Sequence, residues 1–380
     1  MVGEKGKKGD KKREFIRQNV VTTTDKKPMN SLPIYHSLTT LLKSLPMSTK
    51  LRRVTRLFTL GLLAAGSCRL ADIARTLSPL GTLDSQYRRL QRFLANPHLE
   101  RQALQTAWAG WVLKQFAPSR PRLLVDETKL STHLSIMVLG VWVEGGCIPL
   151  AWRCYHAKDY PKEGQVKLIG GLVETVLAAD PARSYDVLAD RGIGTSPDLI
   201  QVLHALKVRV FFRVQGTVKF HNDQGCQIAL KDMVKEGEHW AGFGEVFKKC
   251  GWLKVYAQVM WGAGYHDPWC LVSTEAVAAQ DYAQRFQQEC SFRDLKSDGF
   301  DWNTSHIWTP AHAERLILVL AIAYALVLAL GMRVARPQRG RATRYSLFRL
   351  GLEQLKSLVH PTILPLLPHP PPRFITSVVQ

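Results

Sequence analysis

The feature that most constrains the fold is a long apolar run near the C-terminus. Residues 316–332 read LILVLAIAYALVLALGM, seventeen residues without a charge. This length is at the lower limit for a membrane-spanning helix, and a helix buried on all sides of a large α/β core has the same composition. Glu314 and Arg315 come directly before the run, and the sequence has no second comparable run. We therefore favour a buried helix and expect no membrane partner.

Basic residues are in large excess and are unevenly placed. The net charge is +20, and basic stretches lie at residues 1–27, 52–92 and 333–349. An excess of this size indicates a polyanionic partner, most commonly nucleic acid. A ribosome-associated or membrane-associated basic protein would show the same excess, and each stretch by itself is compatible with an ordinary solvated surface.

The seven cysteines include no CxxC pair. The sequence therefore predicts neither a zinc site nor a disulfide framework, which is typical of a reducing cytoplasm. The N-terminus is charged and has no apolar segment behind it, so it does not resemble a signal peptide. Cytoplasmic localisation is the expectation.

The first third of the chain has a helical pattern. We expect a basic flexible tail at 1–30 and an all-helical domain at 31–117, where leucines recur at three- and four-residue spacing. A short helix at 70–77, a Ser-Pro-Leu-Gly turn and a basic helix capped at Asp84-Ser85 resemble a helix-turn-helix. In that interpretation Leu90, Phe93 and Leu94 pack inward, and the residues facing DNA are Ser85, Gln86, Arg88, Arg89 and Arg92. A plain helical bundle with an arginine-rich face is the alternative.

The character of the sequence changes at the Pro-Ser-Arg-Pro-Arg segment, 118–122. Strand-like runs and helical runs then alternate, with Gly145-Gly146 as a hairpin turn, which predicts an α/β fold with a mixed sheet. We divide this part into a core segment at 118–214, a β-rich insertion at 215–272, a second core segment at 273–335 with a long helix at 276–296, and a basic, Pro-rich C-terminal segment at 336–380.

Two of the predicted strands end on a carboxylate, LLVD at Asp126 and DVLAD at Asp190. Strand ends of α/β sheets are where such folds place their sites, and adjacent strands would bring both carboxylates to the same edge. The alternative for each is an aspartate that caps the following turn.

The predicted helix at 281–296 carries Tyr282, Arg285, Glu289 and Lys296. At 3.6 residues per turn these side chains lie within a stripe about 60° wide. A solvated face with an i,i+4 pair would look similar. Together with Asp126 and Asp190, however, the stripe supplies three carboxylates and two cations, which suits phosphodiester chemistry with two hard metal ions.

These motifs resemble the bacterial DDE transposases of the insertion-sequence-four group, which have an RNase H-like catalytic core. Their signature Y-(2)-R-(3)-E-(6)-K stands here without a gap from Tyr282 to Lys296, and Leu-Leu-Val-Asp126 and Leu-Ala-Asp190-Arg-Gly match their first two aspartates. Between Asp190 and Glu289 lie 98 residues, which would contain the family's β-rich insertion. The resemblance covers roughly residues 55–335.

The resemblance implies roles for individual residues. Asp126, Asp190 and Glu289 would be catalytic and would ligate two Mg²⁺ ions, which Mn²⁺ could replace. Tyr282, Arg285 and Lys296 would contact phosphates near the element's end. Trp269 would stack on a flipped base, although Trp261 is a rival and a core tryptophan is a third possibility.

The resemblance also implies an activity and partners. The chain would bind the terminal inverted repeats of double-stranded DNA, cleave at the ends through a hairpin and insert the 3′-OH ends into target DNA, as a homodimer in the paired-end complex. The alternatives are a catalytically inactive, transposase-derived DNA-binding protein and a stand-alone RNase H-like nuclease.

Overall fold

A computed structural model describes residues 34–335 and 345–358 of the chain. Ten strands form one mixed sheet in the order β3-β2-β1-β4-β5-β10-β9-β8-β6-β7. Their bounds are β1 Arg122–Leu130, β2 Leu134–Val143, β3 Gly146–His156, β4 Asp186–Ala189, β5 Arg209–Arg213, β6 Lys219–His221, β7 Gln227–Ala229, β8 His239–Val246, β9 Leu253–Met260 and β10 Trp269–Ser273.

Helices flank this sheet and fill the N-terminal third of the described chain. Between residues 34 and 117 the structure has helices and turns and no strand. The bounds are α1 Ile34–Ser44, α2 Thr49–Ala65, α3 Leu70–Thr76, α4 Leu83–Leu94, α5 Arg101–Phe116, α6 Gly164–Ala179, α7 Arg191–Gly194, α8 Pro197–Ala205, α9 Phe286–Arg293, α10 Pro310–Ala335 and α11 Leu347–Leu358.

The half of the sheet that carries the candidate site has two kinds of pairing. β1 to β3 form an antiparallel meander, and β4 and β5 follow as strands parallel to β1. The hairpin between β2 and β3 turns on Glu144 and Gly145, because Val143 pairs with Gly146. The turn therefore lies one residue earlier than predicted. Gly145 has φ +80°, a conformation that glycine adopts without a steric penalty.

The β-rich segment continues the same sheet. β10 pairs antiparallel with β5, and β9, β8, β6 and β7 follow outward from it. The strand content predicted for 215–272 is present, with the last strand running on to Ser273. Backbone hydrogen bonds across β5 and β10 therefore fix this segment to the edge of the core sheet.

The apolar run 316–332 lies in helix α10, which is buried against β3, α2, α4 and α11. It is the one helix of the described residues that is long and apolar enough to cross a membrane. Its most apolar 18-residue window, with a mean hydropathy of 2.4, is 78% buried inside the protein. Most of its apolar surface is thus buried against other parts of the protein, as expected for a core helix.

The sequence did not predict α11, which lies within the segment 336–380. It crosses α10 at two glycines: a Cβ on Gly331 would stand 1.8 Å from the Leu347 carbonyl oxygen, and one on Gly351 would stand 1.9 Å from that of Val327. Because neither helix has a side chain at the crossing, the two backbones can approach closely. The basic tail predicted at 1–30 lies outside the described residues. Of the Pro-rich segment predicted at 336–380, the structure describes residues 345–358.

The N-terminal helices share one hydrophobic core with the sheet. Trp108 on α5 donates from its indole nitrogen to the Pro149 carbonyl of β3 at 2.7 Å. The backbone N–H of Cys68 donates to the Phe300 carbonyl at 2.8 Å. The helical segment and the α/β segment are therefore in continuous contact, and the boundary predicted at residue 117 marks a change of secondary structure.

Candidate active site

Asp126 and Asp190 come side by side because of the register of the parallel strands. Val125 on β1 pairs with Ala189 on β4, so the next residue on each strand is one of the two aspartates. Asp126 lies in the middle of β1, which continues to pair with β2 as far as Leu130. The expectation that Asp126 ends its strand was therefore wrong. The pairing of β1 with β4 ends at Val125, so the Asp126 carboxylate lies where the two strands separate.

Asp190 ends β4 and caps the next helix. Its Oδ1 accepts hydrogen bonds from the backbone N–H groups of Gly192 at 3.0 Å and Ile193 at 3.1 Å. The capping interpretation therefore holds for this residue, and it leaves the site interpretation open, since the two bonds share one oxygen. Oδ2 points towards Arg285. One oxygen holds the loop, and the other is directed into the site.

Glu289 lies on a helical stretch of mixed type. Residues 279–285 form a 3-10 helix, α9 follows, and residues 294–298 form a π-helical turn. The prediction of a helix over 276–296 is confirmed for its position, with ends near 279 and 298. In a 3-10 helix three residues complete a turn, so Tyr282 and Arg285 still face the same way. The predicted stripe therefore persists where the ideal α geometry does not.

One guanidinium contacts all three predicted carboxylates. Arg285 Nη2 donates to Asp126 Oδ2 at 2.8 Å and lies 3.6 Å from Asp190 Oδ2. Nη1 of the same side chain donates to Glu289 Oε1. Only 9% of the Arg285 side chain is exposed, against 15%, 39% and 48% for the three acids in chain order. The structure therefore places Asp126, Asp190 and Glu289 around one arginine side chain.

Burial and the mutual interactions of these charges shift the pKa values of Asp126 and Arg285. Burial raises the pKa of Asp126 to about 6, Arg285 opposes the shift, and the carboxylates of Asp190 and Glu289 add to it. Burial disfavours the charge of Arg285, but the surrounding carboxylates outweigh it and raise the pKa of Arg285 overall. Lys296 also interacts electrostatically with Asp126, so the three acids, when ionised, outnumber the two cations around them by one.

The raised pKa of Asp126 predicts a pH-dependent stability. An acid whose pKa is higher in the folded state favours folding while it is protonated, and this contribution is lost as the pH rises through about 6. We expect the free energy of unfolding of the wild type, relative to Asp126→Asn, to fall by about 2–3 kcal/mol between pH 4 and pH 7 without metal. Urea unfolding of both proteins at each pH measures this. A constant difference would contradict it.

Tyr282 and Arg285, two other residues of the signature, have protein groups as partners in the structure. Tyr282 is 5% exposed, and its hydroxyl donates to the Ala189 carbonyl at 2.9 Å, directly before Asp190. This arrangement holds the end of β4 and does not leave the hydroxyl open to a phosphate, because the tyrosine packs between Phe211 and Trp269. Arg285 likewise contacts carboxylates, and phosphate contacts by these two residues stay predictions.

Lys296 and Trp269 lie near the same sheet edge. The Lys296 ammonium donates to the Lys129 carbonyl on β1 at 2.7 Å, and burial lowers the pKa of Lys296. Trp269 is half-buried at the start of β10 and meets the Tyr282 ring edge-on, 5.4 Å between centroids. Trp261 donates from its indole nitrogen to the Tyr265 carbonyl at 2.8 Å. DNA contacts by Lys296 and Trp269 stay predictions.

The predicted helix-turn-helix segment forms α3, a 3-10 turn and α4. Leu90, Phe93 and Leu94 are buried, as predicted. The prediction that Gln86 faces DNA was wrong: its side chain is fully buried, because positions 86, 90 and 93 share the inward face of α4. The cap is Thr82, whose hydroxyl accepts from the Ser85 N–H at 3.3 Å, and not Asp84 or Ser85.

The basic side chains of α4 lie on its outer part. Arg88 and Arg92 are exposed and Arg89 is half-buried. Arg88 pairs with Asp84 at 3.0 Å, and Arg89 Nη1 donates to the buried Gln86 amide oxygen at 2.8 Å. Ser85 is also exposed. DNA contact by Arg88, Arg89 and Arg92 is compatible with these positions and stays a prediction.

Sequence reasoning missed the residues that anchor the Glu289 helix. Ser291 accepts from the Cys147 backbone N–H at 2.8 Å and lies 2.9 Å from the Tyr324 hydroxyl of α10. Gln288, 1% exposed, accepts from the Cys147 thiol at 2.6 Å. These polar residues lie three apart on one helical face, a spacing that in sequence is equally typical of a solvent-facing side.

The donor set fits hard divalent cations, although the carboxylates are not gathered around a common point. Within residues 34–335 and 345–358, no group of three or more His, Cys, Asp or Glu is arranged to hold a metal ion. The Arg285 guanidinium lies between the three acids instead. Carboxylate oxygens are the ligands that Mg²⁺ and Mn²⁺ prefer.

These features define a mixed α/β protein with a carboxylate cluster at the place where its central strands β1 and β4 separate. Residues 146–326 match the family model described as a transposase DDE domain. The match includes Asp190 and Glu289 and begins after Asp126, and it supports a DDE transposase. Transposition-related cleavage and transfer of DNA are the activities that this family implies. No curated protein matches the chain.

Proposed function

We propose that the chain is a DNA transposase of the insertion-sequence-four type with an RNase H-like core. It binds the terminal inverted repeats of its element, cleaves the DNA at the ends and transfers the 3′-OH ends into target DNA, by cut-and-paste through a hairpin. The observation that carries this proposal is the convergence of Asp126, Asp190 and Glu289 on Arg285. The strand order β3-β2-β1-β4-β5, with both aspartates at its centre, supports the proposed core.

The three acids would hold two Mg²⁺ or Mn²⁺ ions, which supply charge neutralisation at the phosphate and activation of the nucleophile. Asp126 and Asp190 are fixed for this by the register of β1 and β4. Glu289 is the most exposed of the three, so it can adjust its position. Arg285 pairs with the acids in the free protein and would turn from them towards a phosphate of bound DNA.

The remaining partners follow from the same proposal. Lys296, Trp269 and the arginines of α4 would contact the double-stranded DNA of the element's ends. The net charge of +20 favours such a partner, because basic side chains that bind DNA phosphates release the counterions condensed on the DNA. A homodimer would hold the two ends in the paired complex. The protein would act in the cytoplasm, next to the nucleoid DNA and without membrane attachment.

The test is an end-cleavage assay with the full chain. DNA that carries the element's terminal repeat and its flank is incubated with Mg²⁺ or with EDTA, and strands are resolved on a denaturing gel. We expect nicks at the repeat boundary and joined products in Mg²⁺ and neither in EDTA. Binding without nicking would identify an inactive DNA-binding relative, and nicking that never gives joined products would identify a nuclease. Either result would overturn the proposal.

A further inference from the structure

A groove of about 550 Å³ lies between the helical segment and the loop that leads into α10. Its walls come from the start of α3, the second half of α4 and residues 304–309. Fifteen residues line the groove, and none of them is an aspartate or a glutamate, in a chain that has 31 such acids. The lining of the groove therefore has no carboxylate that would repel an anion.

Aromatic rings form one wall of this groove. Trp308 is half-buried and stacks on His133, with ring centroids 5.1 Å apart and an angle of 21°. His306 meets the same indole edge-on at 5.9 Å. Tyr87 of α4 lines the groove as well. Flat, partly exposed rings of this kind bind nucleobases by stacking, independently of base identity.

Cations lie on the other wall. Arg69 and Arg92 are exposed and line the groove. Burial and the neighbouring charges of Arg53 and Arg92 lower the pKa of Arg89, which shows that like charges crowd this part of α4. A phosphate backbone in the groove would relieve that repulsion.

The groove lies along the path of the strand that carries the candidate site. Asp126, Lys129 and His133 follow one another along β1 and the turn after it, and the Lys296 ammonium meets the Lys129 carbonyl. His133 lies seven positions after Asp126, in the turn that follows β1. The Trp308 stack is therefore joined to the turn after β1 through His133.

We propose that this groove binds a single-stranded segment of the DNA, with bases against Trp308 and phosphates against Arg69 and Arg92. The inference rests on the proposed function only in taking DNA as the partner. A basic groove with interleaved aromatic rings has the chemistry of single-strand binding. The unpaired strand next to a nicked end is the segment that would use it.

The test compares two DNA probes bound to the full chain in EDTA, by fluorescence anisotropy. The probes are a labelled 12-nucleotide oligo(dT) and a blunt duplex of the same length, so catalysis plays no part. Trp308→Ala should weaken oligo(dT) binding by about 5-fold to 150-fold, because one stacked base is lost. Trp308→Phe should stay within about 3-fold of the wild type. The blunt duplex should be affected by less than about 3-fold in both variants.

The charged wall has its own measurement and control. The double variant Arg69→Gln, Arg92→Gln should lower the salt dependence of oligo(dT) binding, log K against log salt, by about 0.7 per lost phosphate contact. Lys114→Gln, an exposed lysine on α5, is the matched control and should change the slope by less. Thermal melting of each variant confirms that it is folded.

Two results would overturn the inference: unchanged oligo(dT) affinity in both folded Trp308→Ala and the double arginine variant, or an equal loss for single strand and duplex. The second result would make the groove a duplex contact. A protein that fails the end-cleavage assay but shows the Trp308 effect would lose the proposed function and keep the groove assignment. The converse result would lose only the groove.

Discussion

Glu289→Gln is expected to lower the rate of DNA nicking in Mg²⁺ by at least about 1,000-fold and to leave end binding within a few-fold. The change keeps the shape of the side chain and removes its charge, so one of three anionic ligands is lost. Several kcal/mol of charge stabilisation at the reacting phosphate depend on the ions that these acids would hold, and each 1.36 kcal/mol is a factor of ten in rate. The measurement is single-turnover nicking of terminal-repeat DNA.

The matched control for this variant is Glu174→Gln. Glu174 is an exposed glutamate on α6, so the same loss of charge there should leave nicking within about 2-fold. Nicking by Glu289→Gln at more than a tenth of the wild-type rate would remove Glu289 from the site.

Arg285→Ala is expected to lower the free energy of unfolding by about 3–5 kcal/mol in EDTA at pH 7. The guanidinium is 9% exposed and contacts Asp126, Asp190 and Glu289, so its removal leaves three neighbouring carboxylates, of which Asp126 is only 15% exposed, without this counterion. Urea unfolding measures the loss. Arg285→Lys keeps the charge and loses the fork of donors, and its effect should be intermediate.

Divalent metal distinguishes this explanation from a simple packing defect. Ligands that bind the folded state alone stabilise it by mass action. Mg²⁺ at millimolar concentration should therefore restore more stability to Arg285→Ala than it adds to the wild type, because the acids then have no internal counterion. A loss below about 1 kcal/mol in EDTA, or an equal Mg²⁺ effect on both proteins, would contradict this role for Arg285.

The positions of the three acids could be predicted from the sequence because each depends on local pattern. Short apolar runs located β1 and β4, and their shared register follows from the parallel pairing of adjacent strands. The spacing from Tyr282 to Glu289 survived a change of helix type. The partners of Tyr282 and Arg285 could not be predicted in the same way, since a phenol or guanidinium on a helix face can meet a phosphate, a carboxylate or a backbone carbonyl equally well.

Features that depend on long-range packing were the ones that sequence reasoning missed. Gln86 is polar, yet it is buried because α4 turns that face inward against its neighbours. Gly331 and Gly351 permit the close crossing of α10 and α11, but they lie twenty positions apart in the chain. Ser291 and Gln288 acquire their roles only when β3 lies beside their helix. None of these contacts between distant segments can be recognised from a periodic pattern in the sequence.

The most direct test of the account is a titration of Mn²⁺ into the protein bound to uncleaved terminal-repeat DNA, with free Mn²⁺ measured by electron paramagnetic resonance. We predict up to two bound ions for the wild type. Each of Asp126→Asn, Asp190→Asn and Glu289→Gln should weaken binding at least about 10-fold, and Glu174→Gln should not. Equal Mn²⁺ binding by the wild type and all three site variants would contradict the claim that these carboxylates hold the metal for DNA cleavage.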